Sequence, residues 1–282
     1  MEDEQHETYK RRIAGLYGRA AARYGLVGPP IAQLTGRRLV ELVGVAPGAR
    51  VLDVACGRGA ALFPAAAAAG ARGRVVGVDL AEPMVRQTAA EIARRGLSNA
   101  EVRVMDAEEL DLPAGSFDVV LCGFAVFFFP RLDAALGGFR RVLRPGGRVG
   151  VSQARNVDPR WRWENELFAR YGPPTPPATA PGEDLRAPGA LAARLGRAGF
   201  GAARELREEF AVEWRDADEW WAALWTHGTR LPLEAMAPDA LAAFEAAGRA
   251  QVEAMARMGD LRRRWELIVV VAERPPTDRR SG

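Results

Sequence analysis

Three aspartates lie at the ends of successive valine-rich segments of the sequence, namely Asp53, Asp79 and Asp106. Shortly after the first of them, Gly57 and Gly59 allow a tight turn and a close approach of the backbone to a ligand. Ionised carboxylates only accept hydrogen bonds, so Asp79 suits the two hydroxyls of a ribose and Asp106 suits an adenine amino group. The spacing of these residues predicts a site for an adenosine-like ligand.

The segments that carry these aspartates alternate with good helix-forming segments. We expect strands at 51–54, 74–78, 101–105, 117–122 and 148–152, with helices at 60–69, 83–95 and 132–143 between them. Continuous apolar strands that alternate with helices are typical of a parallel sheet covered on both faces. Ligands bind such sheets beyond the carboxyl ends of the strands, where the aspartates fall. Pro-Gly-Gly at 145–147 predicts a clean break before the fifth strand.

A nicotinamide-dependent dehydrogenase is the main alternative on the same type of sheet. Its first loop carries three glycines in the pattern Gly-x-Gly-x-x-Gly, whereas Leu62 occupies the third position after Gly57 and Gly59. Asp53 would also lie near a pyrophosphate, and the two like charges would repel. The loop therefore disfavours a dinucleotide.

The composition of the chain excludes several classes of protein. Its 282 residues carry a net charge of +3, and Lys10 is the only lysine. No apolar run reaches the ~18 residues of a membrane-spanning helix, and no basic stripe with interleaved aromatic residues indicates a nucleic-acid partner. Cys56 and Cys122 suggest neither a disulfide framework nor a zinc motif, and no metal site is predicted. Because the start MEDEQHE is acidic, unlike a signal peptide, we expect a cytoplasmic protein; homo-oligomer formation stays open.

Five motifs occur in the order and spacing of one protein family. They are VLDVACGRG at 51–59, VGVDL at 76–80, VMDAE at 104–108, FDVV at 117–120 and LRPGG at 143–147. Through them, residues 40–155 resemble the class I S-adenosylmethionine-dependent methyltransferases, in particular bacterial small-molecule enzymes of specialised metabolism that are related to the quinone C-methyltransferases. The resemblance implies methyl transfer with S-adenosylmethionine as the cofactor.

The predicted fold is α/β, with a doubly wound, mostly parallel, seven-stranded Rossmann-like sheet and a helical lid. Further helices are expected at 31–43, 191–198, 218–226 and 238–258, and further strands at 200–214 and 265–271. The chain divides into an N-terminal helical segment at 1–43, a cofactor-binding α/β core at 44–155, a Pro-rich loop and lid segment at 156–187, a core helix and strand at 188–214, a helical lid insertion at 215–260, a final core strand at 261–274 and a tail at 275–282.

The resemblance implies a role in cofactor binding for each matching residue. The loop at 53–59 would hold the methionine moiety, and Leu80 and Met84 would flank the adenine, while a tyrosine of the N-terminal segment would close over the sulfonium or simply pack. The predicted cofactor-binding residues are Tyr17, Tyr24, Asp53, Ala55, Cys56, Gly57, Gly59, Asp79, Leu80, Met84, Asp106, Ala107 and Cys122. The sequence departs from the family at Ala55 and Cys56, where many members carry glycine and a small or polar residue.

Aromatic residues near the fourth strand and in the predicted lid indicate a small lipophilic or aromatic acceptor of the natural-product type. The predicted substrate-binding residues are Phe124, Phe127, Phe128, Trp163, Trp221 and Trp225. Their alternative role is to fill the core between lid and sheet. Carbon, oxygen and nitrogen remain open as the methylated atom; a prenyl or terpenoid carbon would need aromatic faces to stabilise a carbocation. A second hypothesis is a methyltransferase-fold cyclase that uses the cofactor without methyl transfer.

Two residues are candidates for catalytic proton transfer. His227 is the only histidine outside the N-terminal tail, and its ordinary pKa suits a base at neutral pH. Glu164 lies among tryptophans, so burial would raise the pKa of its carboxyl group. The alternatives are a surface or capping histidine and a solvated helix acid.

Overall fold

The computed structural model describes residues 2–173 and 184–276, in which seven strands form one sheet of order β3-β2-β1-β4-β5-β7-β6. The strands are β1 (Arg50–Val54), β2 (Arg74–Asp79), β3 (Ala100–Val104), β4 (Phe117–Gly123), β5 (Leu143–Asn156), β6 (Arg204–Glu213) and β7 (Arg262–Glu273). The first five are parallel, and β7 pairs antiparallel with both β5 and β6. The predicted α/β fold with a mostly parallel seven-stranded sheet is confirmed. Its strand order reverses between β1 and β4, which is where such sheets bind ligands.

Helices cover both faces of this sheet. They are α1 (Glu2–Ala20), α2 (Ile31–Val43), α3 (Leu62–Ala69), α4 (Glu82–Arg94), α5 (Leu132–Val142), α6 (Arg162–Tyr171), α7 (Ala190–Arg197), α8 (Ala217–Leu224), α9 (Arg230–Glu234) and α10 (Pro238–Arg257). Helices α5 and α7 pack on one face, where Phe139 and Leu195 are fully buried. Helices α2 and α3 pack on the other face, where Leu39 and Leu62 are fully buried. The two cores hold the strand ends rigidly in place.

The lid, formed by α6, α8, α9 and α10, has a hydrophobic core of its own. Trp161, Trp220 and Phe244 are fully buried in it, and the rings of Trp220 and Phe244 stack with centroids 6.3 Å apart. Fully burying a large apolar side chain stabilises a fold by roughly 1.5–3 kcal/mol. The lid is therefore a packed wall that can shape a cavity.

The structure differs from the sequence pattern in a few places. Strand β5 begins at Leu143, immediately after α5, rather than after Pro-Gly-Gly, because the strand continues through these residues with a shift in its pairing to β4. Helix α6 lies in the predicted lid segment, for which the pattern predicts no helix. The Pro-rich loop predicted at 172–182 lies largely outside the described residues, and the division of the chain into parts stays a prediction. None of the helices in the described residues combines the length and apolar character needed to cross a membrane.

Candidate functional site

Asp79 holds the loop that follows β1. Its Oδ2 accepts a hydrogen bond from the Gly57 amide and its Oδ1 accepts one from the Ala81 amide, both at 2.8 Å. On the other side of the loop, the Thr88 hydroxyl donates to the Gly57 carbonyl at 2.7 Å. Burial raises the pKa of Asp79, although the two amides oppose this effect. Asp79 thus orders the loop and also lines the cavity beside it.

The loop stores backbone strain at Ala55. This residue has a φ of 54°, in the left-handed region that side chains with a Cβ disfavour. Its neighbour Asp53 is only 2% exposed, and Oδ2 of Asp53 is buried without a hydrogen-bond partner among the described residues. Burial, together with the nearby charge of Asp79, raises the pKa of Asp53 to about 8. A buried carboxyl oxygen without a partner is costly, and a cationic ligand nearby would reduce that cost.

Beside this loop is a cavity, called here the core cavity. Its lining includes the predicted residues Tyr17, Tyr24, Ala55, Gly57, Asp79, Leu80, Met84, Asp106 and Ala107. Asp53 and Cys56 line a smaller adjoining cavity together with Tyr24 and Phe124. An acidic, glycine-lined site of this kind fits S-adenosylmethionine, whose sulfonium and amino groups are positive.

Two predicted cofactor residues lie elsewhere. Cys122 is fully buried in the hydrophobic core between the sheet and α5, because its side chain lies on the face of β4 that packs against that helix rather than at the strand end. Gly59 lines a surface groove beside Phe63. It has a φ of 79°, and an added Cβ would lie 2.5 Å from the Phe63 ring, so the turn itself favours glycine at this position.

Lys10 is a site residue that the sequence reasoning missed. Its Nζ donates to Oδ2 of Asp106 at 2.7 Å and lies 3.4 Å from Oε2 of Glu108. Only 6% of Lys10 is exposed, because α1 lies across the core cavity and covers it. The hydrogen bonds to Asp106 and Glu7 raise the pKa of Lys10 against the opposing effect of burial. The one available signal was that this is the only lysine in an arginine-rich chain.

A second cavity lies under the lid and is called here the lid cavity. Tyr17, Tyr24, Phe124 and Phe128 line both cavities and form the boundary between them. Tyr17 packs edge-to-face on Tyr24 and on Phe128, with ring centroids 5.8 and 5.5 Å apart. Phe124 has a φ of 56°, an outlier for a bulky residue of the kind that clusters at functional sites.

Of the other predicted substrate-binding residues, only Phe127 lines the lid cavity. Trp163, Trp221 and Trp225 instead pack against the core of the lid. Trp163 lies 5.5 Å from Trp220 between ring centroids, and Trp221 packs edge-to-face on Trp225 at 5.7 Å. These three tryptophans stabilise the lid, because they pack against other side chains of the lid and do not line the lid cavity.

Both predicted catalytic residues line the lid cavity, in very different surroundings. Glu164 forms a two-pronged ion pair with Arg263, at 3.2 and 2.9 Å, and also accepts a hydrogen bond from the Trp220 indole at 2.8 Å. The Arg263 guanidinium lies 4.9 Å above the Trp161 ring and 4.7 Å above the Trp265 ring. The carboxylate of Glu164 is therefore occupied by partners within the protein.

His227 is neutral at physiological pH. Burial lowers the pKa of His227 to about 4; Glu164 opposes this effect and the charge of Arg263 adds to it. Nδ1 of His227 lies 2.9 Å from the Thr229 hydroxyl. No hydrogen-bond partner of its Nε2 is found among the described residues. A neutral imidazole at the wall of an apolar cavity can accept a proton from a bound molecule.

The chain is similar in sequence and in fold to known methyltransferases. A family model described as a methyltransferase domain matches residues 51–147. The nocamycin O-methyltransferase of Saccharothrix syringae is 38% identical over 82% of this chain and 87% of its own length. The aklanonic acid methyltransferase DauC of Streptomyces sp. (strain C5) is 39% identical over 52% of this chain and 67% of its own length.

Among solved structures, the crystal structure of the cyclase SpnF matches with a TM-score of 0.57 and 19% identity, and the match covers 98% of each chain. At this identity the match shows a common fold and no more. The five motifs, the core cavity and the long match to the nocamycin enzyme agree. The chain belongs to the class I S-adenosylmethionine-dependent methyltransferases of the bacterial small-molecule type, which act on natural-product-type substrates.

Proposed function

We propose that the protein transfers a methyl group to a hydroxyl oxygen of a small lipophilic or aromatic molecule bound in the lid cavity. The observation that carries the proposal is the shared wall of Tyr17, Tyr24, Phe124 and Phe128 between the two cavities. A cofactor in one cavity and an acceptor in the other would meet at this wall. Holding two reactants in line supplies much of the acceleration of such a transfer.

The character of the lid cavity supports an uncharged, largely apolar acceptor. Its lining includes the apolar residues Val27, Ile31, Phe127 and Leu224. Among the lining residues, the one carboxylate, Glu164, forms an ion pair with the one guanidinium, Arg263. Aromatic side chains at the boundary exclude water, which strengthens electrostatic interactions inside the cavity. A highly charged substrate would lose its hydration without finding matching charges.

His227 is the residue that suits a hydroxyl acceptor. Bound S-adenosylmethionine supplies a methyl carbon that is activated by a positive sulfonium. His227 accepts the proton of the acceptor hydroxyl, so that a positive charge remains in the cavity after the transfer. The charge of Glu164 favours the resulting imidazolium and the charge of Arg263 opposes it, with Glu164 the larger of the two effects. Positioned general bases contribute about 10²–10⁴-fold in rate.

Methylation of a prenyl carbon has less support from the geometry. It would require a base to remove the final proton, and that base would be His227, because Glu164 is held by Arg263 and by the Trp220 indole. Trp163, Trp221 and Trp225 lie in the core of the lid, away from where a carbocation would form. The name of the nocamycin relative, an O-methyltransferase, also favours oxygen.

The test is incubation with the cofactor and a panel of phenols, enols and matched methyl ethers, with detection of S-adenosylhomocysteine and of product mass. We expect equimolar S-adenosylhomocysteine and a product heavier by one methyl group in place of a hydrogen. His227→Gln should lower turnover about 100-fold or more, whereas His6→Gln, which changes the only other histidine, should not. Methylation of the blocked ethers would refute an oxygen acceptor, and a product of unchanged mass without S-adenosylhomocysteine would favour the cyclase hypothesis.

A further inference from the structure

Three polar atoms form a chain beside the lid cavity. The Thr229 hydroxyl lies 2.6 Å from the Leu224 carbonyl oxygen and 2.9 Å from Nδ1 of His227. His227 and Thr229 both line the cavity, and Thr229 lies between α8 and α9. The hydroxyl thus connects the end of a helix to an imidazole that lines the lid cavity.

The number of hydrogens available to these three atoms determines the direction of each hydrogen bond. A carbonyl oxygen has no hydrogen, so the 2.6 Å contact between two oxygens requires the hydroxyl hydrogen of Thr229 to point at Leu224. A hydroxyl has one hydrogen and two lone pairs. Toward His227 it can therefore only accept, and Nδ1 must be the imidazole nitrogen that carries the hydrogen.

The local backbone explains why this arrangement is available. Leu224 is the last residue of α8, and the final carbonyls of a helix have no donor within it. Thr229 precedes the first residue of α9, where a threonine commonly caps the helix through its side chain. Here its side chain makes no capping bond. The hydroxyl is free of the helix that follows it and bonds to Leu224 and His227 instead.

We infer that Thr229 is a positioning residue, which locks His227 in the tautomer with hydrogen on Nδ1 and so presents the Nε2 lone pair to the hydroxyl of the acceptor. The inference rests on the proposed function, in which His227 removes that proton. In the other tautomer Nε2 would carry a hydrogen and could not accept one. Such control of a histidine through the bond on its other nitrogen is a general device of proton transfer.

The tautomer can be read directly, because the chain contains only His6 and His227. Nitrogen-15 NMR of the full-length protein, labelled at histidine, distinguishes a nitrogen that carries hydrogen from one that does not, and His6→Gln identifies the signals of His227. We expect the hydrogen on Nδ1 and a bare Nε2 in the protein without substrate. Hydrogen on Nε2 in the unaltered protein would overturn the inference before any variant is made.

Two variants of Thr229 and one of a neighbour test the cause. Thr229→Val keeps the shape and deletes the hydroxyl, so the NMR signals should show hydrogen on Nε2 in a substantial fraction of molecules. The value of kcat should fall to the fraction that keeps the hydrogen on Nδ1, with little change in KM. Thr229→Ser should restore both the signals and the rate. Thr226→Val deletes another hydroxyl that lines the cavity, which bonds to the Ala223 carbonyl, and should leave the His227 signals unchanged.

The outcomes separate this inference from the proposed function. If Thr229→Val leaves the signals of His227 as they are, the inference is wrong, whatever His227 does. If the signals change as expected but kcat does not, the inference about the tautomer stands, His227 is not the base, and the mechanism proposed for the transfer fails. Thermal unfolding of each variant shows whether it is folded. If the valine variant does not fold, the NMR signals of the unaltered protein and of Thr229→Ser still test the tautomer of His227.

Discussion

Arg263→Met should destabilise the protein strongly by leaving Glu164 buried without its ionic partner. Glu164 and Arg263 are 7% and 5% exposed, and two N–H groups of the guanidinium bond to the carboxylate at 3.2 and 2.9 Å. Removal of one partner from a buried ion pair costs about 3–5 kcal/mol, because the remaining charge stays in a poorly solvating environment. Among the residues that the structure describes, the Trp220 indole alone would still donate to this carboxylate.

The magnitude can be measured by urea unfolding followed through tryptophan fluorescence, with linear extrapolation to water. For a chain of this size, a loss of 3–5 kcal/mol corresponds to a fall of about 10 °C in the midpoint of thermal unfolding. The matched control is Glu164→Met combined with Arg263→Met, which removes both charges. This double variant should be more stable than Arg263→Met alone, since paired replacement of buried charges by apolar residues is often close to neutral.

A further variant separates a structural role of Glu164 from a catalytic one. Glu164→Gln keeps an acceptor for the Trp220 indole but loses the ion pair with Arg263. We expect lower stability and, at a temperature where the variant is fully folded, turnover within about tenfold of the unaltered enzyme. A cost below about 1 kcal/mol for Arg263→Met, or a double variant as unstable as the sum of the single ones, would refute the reasoning.

Ala55→Gly should raise the free energy of unfolding by roughly 0.5–1 kcal/mol, because relief of the left-handed backbone at φ 54° outweighs the entropy of glycine; urea unfolding with no gain would contradict this. Asp79→Asn, which loses one of the acceptors for Gly57 and Ala81, should weaken cofactor binding at least about tenfold by calorimetry; an unchanged Kd would count against it. Since burial lowers the pKa of His227 from 6.5 to about 4, the unfolded chain binds an extra proton between these values. Stability should therefore fall as the pH drops through this window, by up to about 3 kcal/mol, and a His227→Gln variant with the same pH dependence would show that another group is responsible.

Local patterns in the sequence were sufficient to predict the fold and most of the residues that line the core cavity. The helix predicted at 31–43 is α2 (Ile31–Val43), because apolar residues at helical spacing follow two prolines and end at a glycine in the left-handed conformation. The strands that lead to Asp53 and Asp79 are apolar after their first arginine, as buried parallel strands are. Strand β3, which leads to Asp106, lies at the edge of the sheet, and its Glu101 and Arg103 alternate with apolar residues. The position of each aspartate at a strand end follows from the chain itself and does not depend on remote contacts.

Only the tertiary structure decided which side chains meet. Lys10 contacts Asp106 across 96 positions of sequence, and Arg263 pairs with Glu164 across 99. The sequence around a lid tryptophan is the same whether its side chain lines a cavity or packs inside the lid. The packing of α6, α8 and α10 determines that Trp163, Trp221 and Trp225 pack against the core of the lid. Periodicity reports which face of an element is apolar, whereas the partner on that face is chosen by the packing of elements that are distant in the chain.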